Sequence, residues 1–487
     1  MNYIYLGDCL NVLRDNIKDE SVDLIYIDPP FNSKRDYNIF FDDKEIQTQR
    51  IAFEDTWSLK SIQDSLQELH TMKTENLFYL LLTYQKVAPH AFPYLVMMSL
   101  RLIELHRVLK PTGSFYLHCD PTMSHYLKTI SDIIFQPKNF RNEIIWHYSG
   151  WNAKLDDSFN SRHDVILFYG KNLKQKFNSY RLPWESEDEY VKIRKQKVHA
   201  DEDGKKYVLS DAGGGKRVKR YLLEAIEYGK PVDDVWDIDK INNSAKESLG
   251  YPTQKPKALL ERIIQASSNE GDTVLDGFCG CGTTVDAAES LHRNWIGIDI
   301  SPIAISLIKR RLNNTYGKHL SSFEVRGTPT DEVSAIELWK QNPNAFQDWW
   351  LTEFEVFSTT FGSKGADKGI DGIGQYLVSE TDSIRVAFQV KGGKVQSKDI
   401  DALIGVLSKH KCELGVFLSI EEPTKPMLDT TAQQGFVEFP GFQYPKIQIL
   451  TLKDFFSNKF PKLPQTNITF KAAQFKGKKS KQIELGI

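Results

Sequence analysis

Thr273-Val274-Leu275-Asp276-Gly277-Phe278-Cys279-Gly280-Cys281-Gly282-Thr283-Thr284 is the stretch on which the fold turns. Four residues that read as a buried strand run into a glycine-rich turn, and helical sequence follows. Glycine tolerates φ > 0 and lets another group approach the backbone closely. The helix that opens after the turn offers free N–H groups to the anionic end of a ligand. Asp299 ends the next apolar strand, Trp295-Ile296-Gly297-Ile298-Asp299, where a carboxylate can hold a pair of ribose hydroxyls. The spacing is G-x-x-G-x-G, and neither the dinucleotide fingerprint nor a P-loop lysine is present. Taken alone, the turn implies a nucleotide-like ligand or a tight turn without one. Cys279 and Cys281 have no nearby cysteine or histidine partners, so they read as small loop residues rather than metal ligands.

The same rhythm of strand and helix appears at the start of the chain. Tyr3–Leu6 reads as a strand ending at Gly7-Asp8, and Val22–Ile27 as one apolar on both faces. Leu95, Met98, Leu102, Leu105 and Leu109 form one helical stripe, closed by Lys110-Pro111-Thr112-Gly113, and Ser114–His118 is the next strand. Apolar strands separated by helices predict an α/β fold with a doubly wound, mostly parallel sheet. From about Ser149 to Leu249 the rhythm is lost, as in an inserted module. It returns with a helix at Lys257–Ser268. A separate α/β unit starts near Phe346.

At 487 residues the chain is too long for one core. No apolar run reaches the ~18 residues of a membrane span, and the first residues do not read as a signal peptide. Five cysteines in so long a chain form no disulfide framework, which suits a reducing cytoplasm. The net charge of −2 does not favour nucleic-acid binding, so any such surface must be a local patch. Lys216-Arg217-Val218-Lys219-Arg220 is one candidate. The lysine-rich tail around Lys471 and Lys476–Lys481 is the other, and it reads more simply as a solvated terminus.

Asp28-Pro29-Pro30-Phe31 follows the second strand, at the sheet edge where ligands of open α/β folds bind. A carboxylate and a backbone carbonyl held rigid by proline can take both hydrogens of an amino group. Phe31 offers a flat face for stacking. An isolated Asp-Pro-Pro-Phe often only terminates a strand; paired with the glycine-rich turn, that becomes the weaker reading.

Together these motifs resemble the amino-methyltransferases of the β arrangement, in which the catalytic motif precedes the cofactor motif, over roughly residues 1–325. The resemblance implies a Rossmann-like S-adenosylmethionine fold with Asp28, Pro29, Pro30 and Phe31 catalytic. It implies cofactor contacts from Asp276, Gly277, Phe278, Gly280, Gly282, Thr283 and Asp299. It adds the early turn Asp8-Cys9 beside the cofactor adenine. Lys255, in Thr253-Gln254-Lys255-Pro256, would lie near the cofactor carboxylate. Asp as the opening residue is similar to adenine-N6 enzymes, whereas cytosine-N4 enzymes more often begin with Ser. The substrate expected is duplex DNA with the target base flipped out, since a stacked base is out of reach.

In the C-terminal unit, Asp371 precedes by about twenty residues the alternating run Arg385–Lys391, which points Gln389 and Lys391 to one side. An acid with an x-Lys pair suits Mg²⁺-assisted phosphodiester hydrolysis. This unit resembles the Mrr-like branch of the PD-(D/E)xK nucleases over about 346–450. The resemblance implies Asp371 as a Mg²⁺ ligand, with Gln389 in place of the second acid, Lys391, and Glu353 or Glu355 as a further ligand. The competing readings are a plain Asp371–Lys391 ion pair and a nuclease fold kept for DNA binding. The organisation expected is 1–148 catalytic half, 149–249 target-recognition insert, 250–325 cofactor half, 326–345 linker, 346–465 nuclease-like domain and 466–487 basic tail. The function expected is site-specific adenine-N6 methylation in a restriction–modification or phage-defence setting, with a homodimer or a restriction subunit as partners. The alternatives are a bifunctional enzyme that also cuts DNA, and a cytosine-N4 methyltransferase.

Overall fold

The structure is a computed structural model that describes residues 1–30, 59–72, 74–150, 157–242, 245, 247–249, 253–358, 370–379, 382–439, 442–464 and 466–467. The elements of its first half that frame the sheet are β1 (Asn2–Leu6), α1 (Cys9–Asn16), β2 (Val22–Ile27), α2 (Phe92–Val108), β3 (Leu109–Cys119), β4 (Phe140–His147), β5 (His163–Gly170) and β6 (Val235–Asp237). The cofactor-half elements are α3 (Lys257–Ser267), β7 (Thr273–Asp276), α4 (Thr283–Ser290), β8 (Asn294–Asp299), α5 (Pro302–Tyr316) and β9 (Phe323–Arg326).

These nine strands form one sheet in the order β6-β4-β5-β3-β2-β7-β8-β1-β9. β5 runs antiparallel to both its neighbours, and every other pairing is parallel. The doubly wound expectation therefore holds, with a physical reason visible in β2. All six of its residues are buried. Ile25 and Ile27 enter a core under α1 and α2, while Leu24 and Tyr26 enter the core under α3, α4 and α5. A strand covered on both faces has no reason to alternate in polarity.

One reading needs correction. The stretch 149–249 is not wholly an insert: His163–Gly170 is β5, buried between β3 and β4, and Val235–Asp237 extends the sheet at β6. The sheet needs β5 because its apolar face completes both cores; Val165, Leu167 and Tyr169 serve one, Ile166 and Phe168 the other. The insert proper is smaller and includes a three-stranded antiparallel sheet of Val198–Ala200, Lys206–Asp211 and Arg217–Tyr221. The basic run Arg217–Arg220 is thus an exposed strand. Lys110–Gly113 bulges out of the β2–β3 pairing, which jumps from Val22↔Leu109 to Leu24↔Ser114.

The C-terminal unit has its own sheet, β10 (Gly372–Leu377), β11 (Ser383–Lys391), β12 (Leu414–Ser419) and β13 (Ile447–Thr451), with β10 antiparallel and the rest parallel. Helix α8 (Ser397–His410) packs on β12. Within 326–345 lies α6 (Glu332–Gln341), whose Ala335, Ile336, Leu338 and Trp339 join the core of this unit alongside Phe346, Trp349 and Trp350 of α7 (Pro343–Thr352). Among the described residues no helix is long and apolar enough to cross a membrane.

Candidate active site

Four adjacent parallel strands, in the order β2-β7-β8-β1, deliver four carboxylates to one edge of the sheet. Asp28 follows β2, Asp276 ends β7, Asp299 ends β8 and Asp8 follows β1. The crevice between β2 and β7 is a topological switch point. The chain leaves β2 toward β3 in one direction and β7 toward β8 in the other, which is where open α/β sheets bind ligands.

The glycine-rich turn is built by contacts that only glycine permits. Gly282 has φ +76, and a Cβ there would meet Ile308 Cγ1 of α5 at 2.6 Å. A Cβ on Gly277 would meet Cys9 Sγ at 2.8 Å. Gly280 also lies in the left-handed region, at φ +49. Its N–H donates to Asp299 Oδ2 at 2.8 Å, and the Ser301 N–H donates to Oδ1 at 2.8 Å. Asp276 Oδ1 accepts from the Phe278 N–H at 3.0 Å and Oδ2 from the Thr284 hydroxyl at 2.5 Å. Burial pushes the Asp276 carboxyl up to about 7 and Asp299 up to about 6, partly offset by these donors. Asp28 and Asp299 push Asp276 further in the same direction.

The remaining cofactor-loop candidates divide. Thr283 accepts from Arg311 Nη1 at 3.1 Å, and Arg311 Nε also reaches Asp286 Oδ2 at 3.0 Å, so the Thr283 hydroxyl faces α5. Phe278 packs against the core beneath α1. Asp8 caps α1 through Leu10 N–H at 3.0 Å and pairs with Arg101 of α2. Its part in the site is to fix the turn, which the Gly7 N–H ties to the Asp299 carbonyl at 2.9 Å. Cys9, Cys279 and Cys281 are buried free thiols, and no group of three His, Cys, Asp or Glu that could hold a metal occurs among the described residues.

Asp28 is mostly buried, Pro29 is buried and Pro30 half-buried; Phe31 lies outside the described residues. Asp28 Oδ2 bonds the ammonium of Lys255, and Oδ1 is buried with no hydrogen-bond partner. Lys255 therefore stands on the acid that the family resemblance makes catalytic. On the same face of the sheet lies a polar row that sequence reading missed. The Tyr26 hydroxyl meets His118 Nδ1 at 2.8 Å, and His118 Nε2 meets Asp164 Oδ2 at 3.4 Å. His118 holds the Asp164 carboxyl down to about 2 against the upward push of burial. The signal was present: His118 sits at the carboxyl end of β3, next to the motif strand.

The set fits S-adenosylmethionine: a glycine turn opening a helix, an acid at the end of the following strand, and an unpaired buried carboxylate oxygen one strand away.

In the C-terminal unit Gly372 pairs with Phe388, so Asp371 lies opposite Gln389. Asp371 Oδ2 accepts from the Val390 N–H at 2.6 Å, and Gln389 Oε1 is buried without a hydrogen-bond partner. Lys391 pairs with Asp399 at 3.4 Å rather than with Asp371. Glu355 and Glu353 face Arg310 (3.8 Å) and Lys309 (3.9 Å) of α5. The basic tail beyond residue 467 lies outside the described residues.

Residues 22–310 match the family model for DNA methylases, and residues 350–439 match that for restriction endonucleases. The type II methyltransferase M.HpaI of Haemophilus parainfluenzae is 27% identical over 354 residues, 71% of this chain and 86% of its own length. The DNA adenine methyltransferase YhdJ of Escherichia coli is 27% identical, over 66% of this chain and 84% of its own length. The Mod subunit of the type III restriction–modification enzyme StyLTI of Salmonella typhimurium is 26% identical, over 74% of this chain and 61% of its own length. The chain belongs to the DNA methylase family, and it carries a restriction-endonuclease-type domain on its C-terminal side.

Proposed function

We propose that this chain methylates the N6 amine of adenine at a defined sequence in duplex DNA, within a restriction–modification or phage-defence setting. The observation that carries the reading is Asp28 Oδ1, a buried acceptor with no donor, one strand from the glycine turn. Leaving such an acceptor unpaired costs about 1–3 kcal/mol. An amino group presented there recovers that cost.

An exocyclic base amine is a poor nucleophile because its lone pair is delocalised into the ring. Asp28 Oδ1 accepts one N–H, and the Pro29 carbonyl, fixed by the proline backbone, accepts the other. Held by both, the nitrogen moves toward tetrahedral geometry and its lone pair turns toward the cofactor. When bound, S-adenosylmethionine supplies a methyl carbon on a sulfonium, whose C–S bond breaks as the amine lone pair forms the new C–N bond. Asp28 then holds the proton that the nitrogen sheds. Asp299 is placed to take the ribose hydroxyls. The base must leave the stack to reach this edge, at a cost of a few kcal/mol. The opening Asp of the motif and the name of the E. coli relative favour adenine over cytosine. The type III relative favours a restriction subunit as partner, a homodimer being the alternative. Chromosomal DNA as substrate places the enzyme in the cytoplasm.

The test is sequencing of modified bases in DNA from cells expressing the chain. N6-methyladenine at one recurring motif is the expected result, and Asp28→Ala abolishes it. N4-methylcytosine refutes the adenine reading, and unmodified DNA refutes the whole.

A second activity, Mg²⁺-dependent DNA cleavage, is favoured by Asp371 lying opposite Gln389, whose buried Oε1 has no hydrogen-bond partner. An amide oxygen is an accepted but weaker cation ligand than a carboxylate. Incubation of methylated and unmethylated DNA with the protein and Mg²⁺ decides it.

A further inference from the structure

Lys255 lies in the short segment that precedes α3, 227 residues from Asp28 in sequence, yet its ammonium bonds Asp28 Oδ2. The Thr253 carbonyl accepts from the same ammonium at 3.5 Å. Pro256 follows at once, with φ −61 and ψ 135, and caps α3, so the backbone that carries Lys255 is stiff. Both partners are well covered, with side chains 12% and 15% exposed.

The charges around Asp28 make a cation there consequential. Asp28 shares its field with Asp276 from β7, the Tyr26 hydroxyl from its own strand and the Cys119 thiol from β3, each of which it makes harder to ionise. None of these three neighbours is a cation, so among these groups the Lys255 ammonium is the one that holds the Asp28 carboxylate by charge. A carboxylate held by neither oxygen also turns about its Cβ–Cγ bond, a broad, soft torsion. Once Oδ2 is pinned, the direction of Oδ1 is fixed as well, and Oδ1 is the buried oxygen without a partner.

We propose that Lys255 is a positioning residue for the catalytic acid: it grips Oδ2 so that Oδ1 is held facing the incoming target amine. This rests on the methyl-transfer reading above. It differs from the role that the family resemblance gives Lys255, which is to border the cofactor carboxylate. The two roles separate in kinetics. A cofactor ligand acts on the affinity for cofactor, whereas a residue that aims Asp28 acts on the chemical step. Misplacing a reacting group by about 1 Å costs on the order of a hundredfold in rate.

The test uses the full chain, S-adenosylmethionine and DNA carrying the motif found by sequencing. Lys255→Met is expected to lower kcat roughly ten- to a hundredfold, while the KM for S-adenosylmethionine and the Kd for S-adenosylhomocysteine change less than about threefold. Lys255→Arg, which keeps a cation able to reach Oδ2, is expected to recover most of kcat. Retained S-adenosylhomocysteine binding shows that the methionine variant is folded. The proposal is overturned if Lys255→Met instead weakens cofactor binding, if it leaves kcat unchanged, or if arginine fails to restore the rate. Failure of the underlying reading looks different: the unaltered protein then transfers no methyl group to any DNA.

Discussion

Replacing Gly282 by alanine tests whether the cofactor turn is held by packing or only by sequence permissiveness. Two costs arise. Alanine at φ +76 sits in the left-handed region, at about 1–2 kcal/mol. Its Cβ would also lie 2.6 Å from Ile308 Cγ1 and 3.2 Å from Cγ2, in a core residue with no exposed surface. Overpacking of that kind costs about 1–3 kcal/mol, so the expected total is about 2–5 kcal/mol. Gly317, at the end of α5, is the control: its φ is +49 and a Cβ there meets nothing within 4 Å, so only the backbone cost applies. Hydrogen exchange of the α4 amides reads the local unit rather than the whole multi-domain chain. Gly282→Ala should loosen those amides by the full amount and weaken S-adenosylhomocysteine binding at least roughly tenfold, since the turn must shift to admit the methyl group. Gly317→Ala should leave the ligand affinity alone. Equal behaviour of the two variants would refute the steric account of the turn.

Asp28→Ala should abolish methyl transfer while the Kd for S-adenosylhomocysteine stays within about threefold, because the proposed mechanism has the residue act on the amine and not on the cofactor; calorimetry with the product checks this. Burial holds Asp276 near 7 and Asp299 near 6, so both carboxyls bind protons in the folded chain that the unfolded chain has lost. The stability tied to their neutral forms is full below about pH 4 and is lost as pH rises through 6 to 7, by about 4 kcal/mol for Asp276. Exchange of the β7 amides across that range should show the loss. Over the same window S-adenosylhomocysteine should bind more tightly, as Asp299 ionises and becomes a better acceptor for ribose hydroxyls. In the C-terminal unit, Lys391→Ala should abolish the proposed Mg²⁺-dependent cleavage without measurable loss of stability. Its partner Asp399 is 3.4 Å away across a partly exposed pair worth no more than about 1 kcal/mol. A thermal shift beside a cleavage gel separates the two effects.

Where one strand decided both structure and chemistry, the sequence was easy to read. β2 is a continuous apolar run because helices cover both faces, and Asp28 follows it directly. β7 and β8 were legible for the same reason, and the turn between them announced itself through Gly280 and Gly282. β5 was missed because His163–Gly170 lies between polar segments and runs against the parallel grain of the sheet; only its pairing with Leu117 and Ile144 on neighbouring strands identifies it. The Lys255–Asp28 bond joins residues 227 apart, and no local pattern encodes so distant a contact. The Arg101–Asp8 pair, 93 residues apart, escapes local reading for the same reason. In the C-terminal unit the alternation of β11, whose pairing with β10 sets Asp371 opposite Gln389, put Gln389 and Lys391 on one side. It could not foresee that Lys391 would turn to Asp399, on a helix that begins after the strand.

The seam between β2 and β7 also governs how the chain comes into being. Leu24 and Ile25 hydrogen-bond with Val274 and Leu275, so the two strands meet across about 250 intervening residues. On a ribosome adding about 5–20 residues per second, β2 waits roughly 12–50 seconds for that neighbour. During the interval it presents an apolar, unpaired margin, the kind of surface that templates aggregation. Nascent chains truncated before residue 273 carry Asp28 without β7 and the glycine-rich turn, so the proposed grip for the amine has no partner for the methyl donor until more than half of the chain is made.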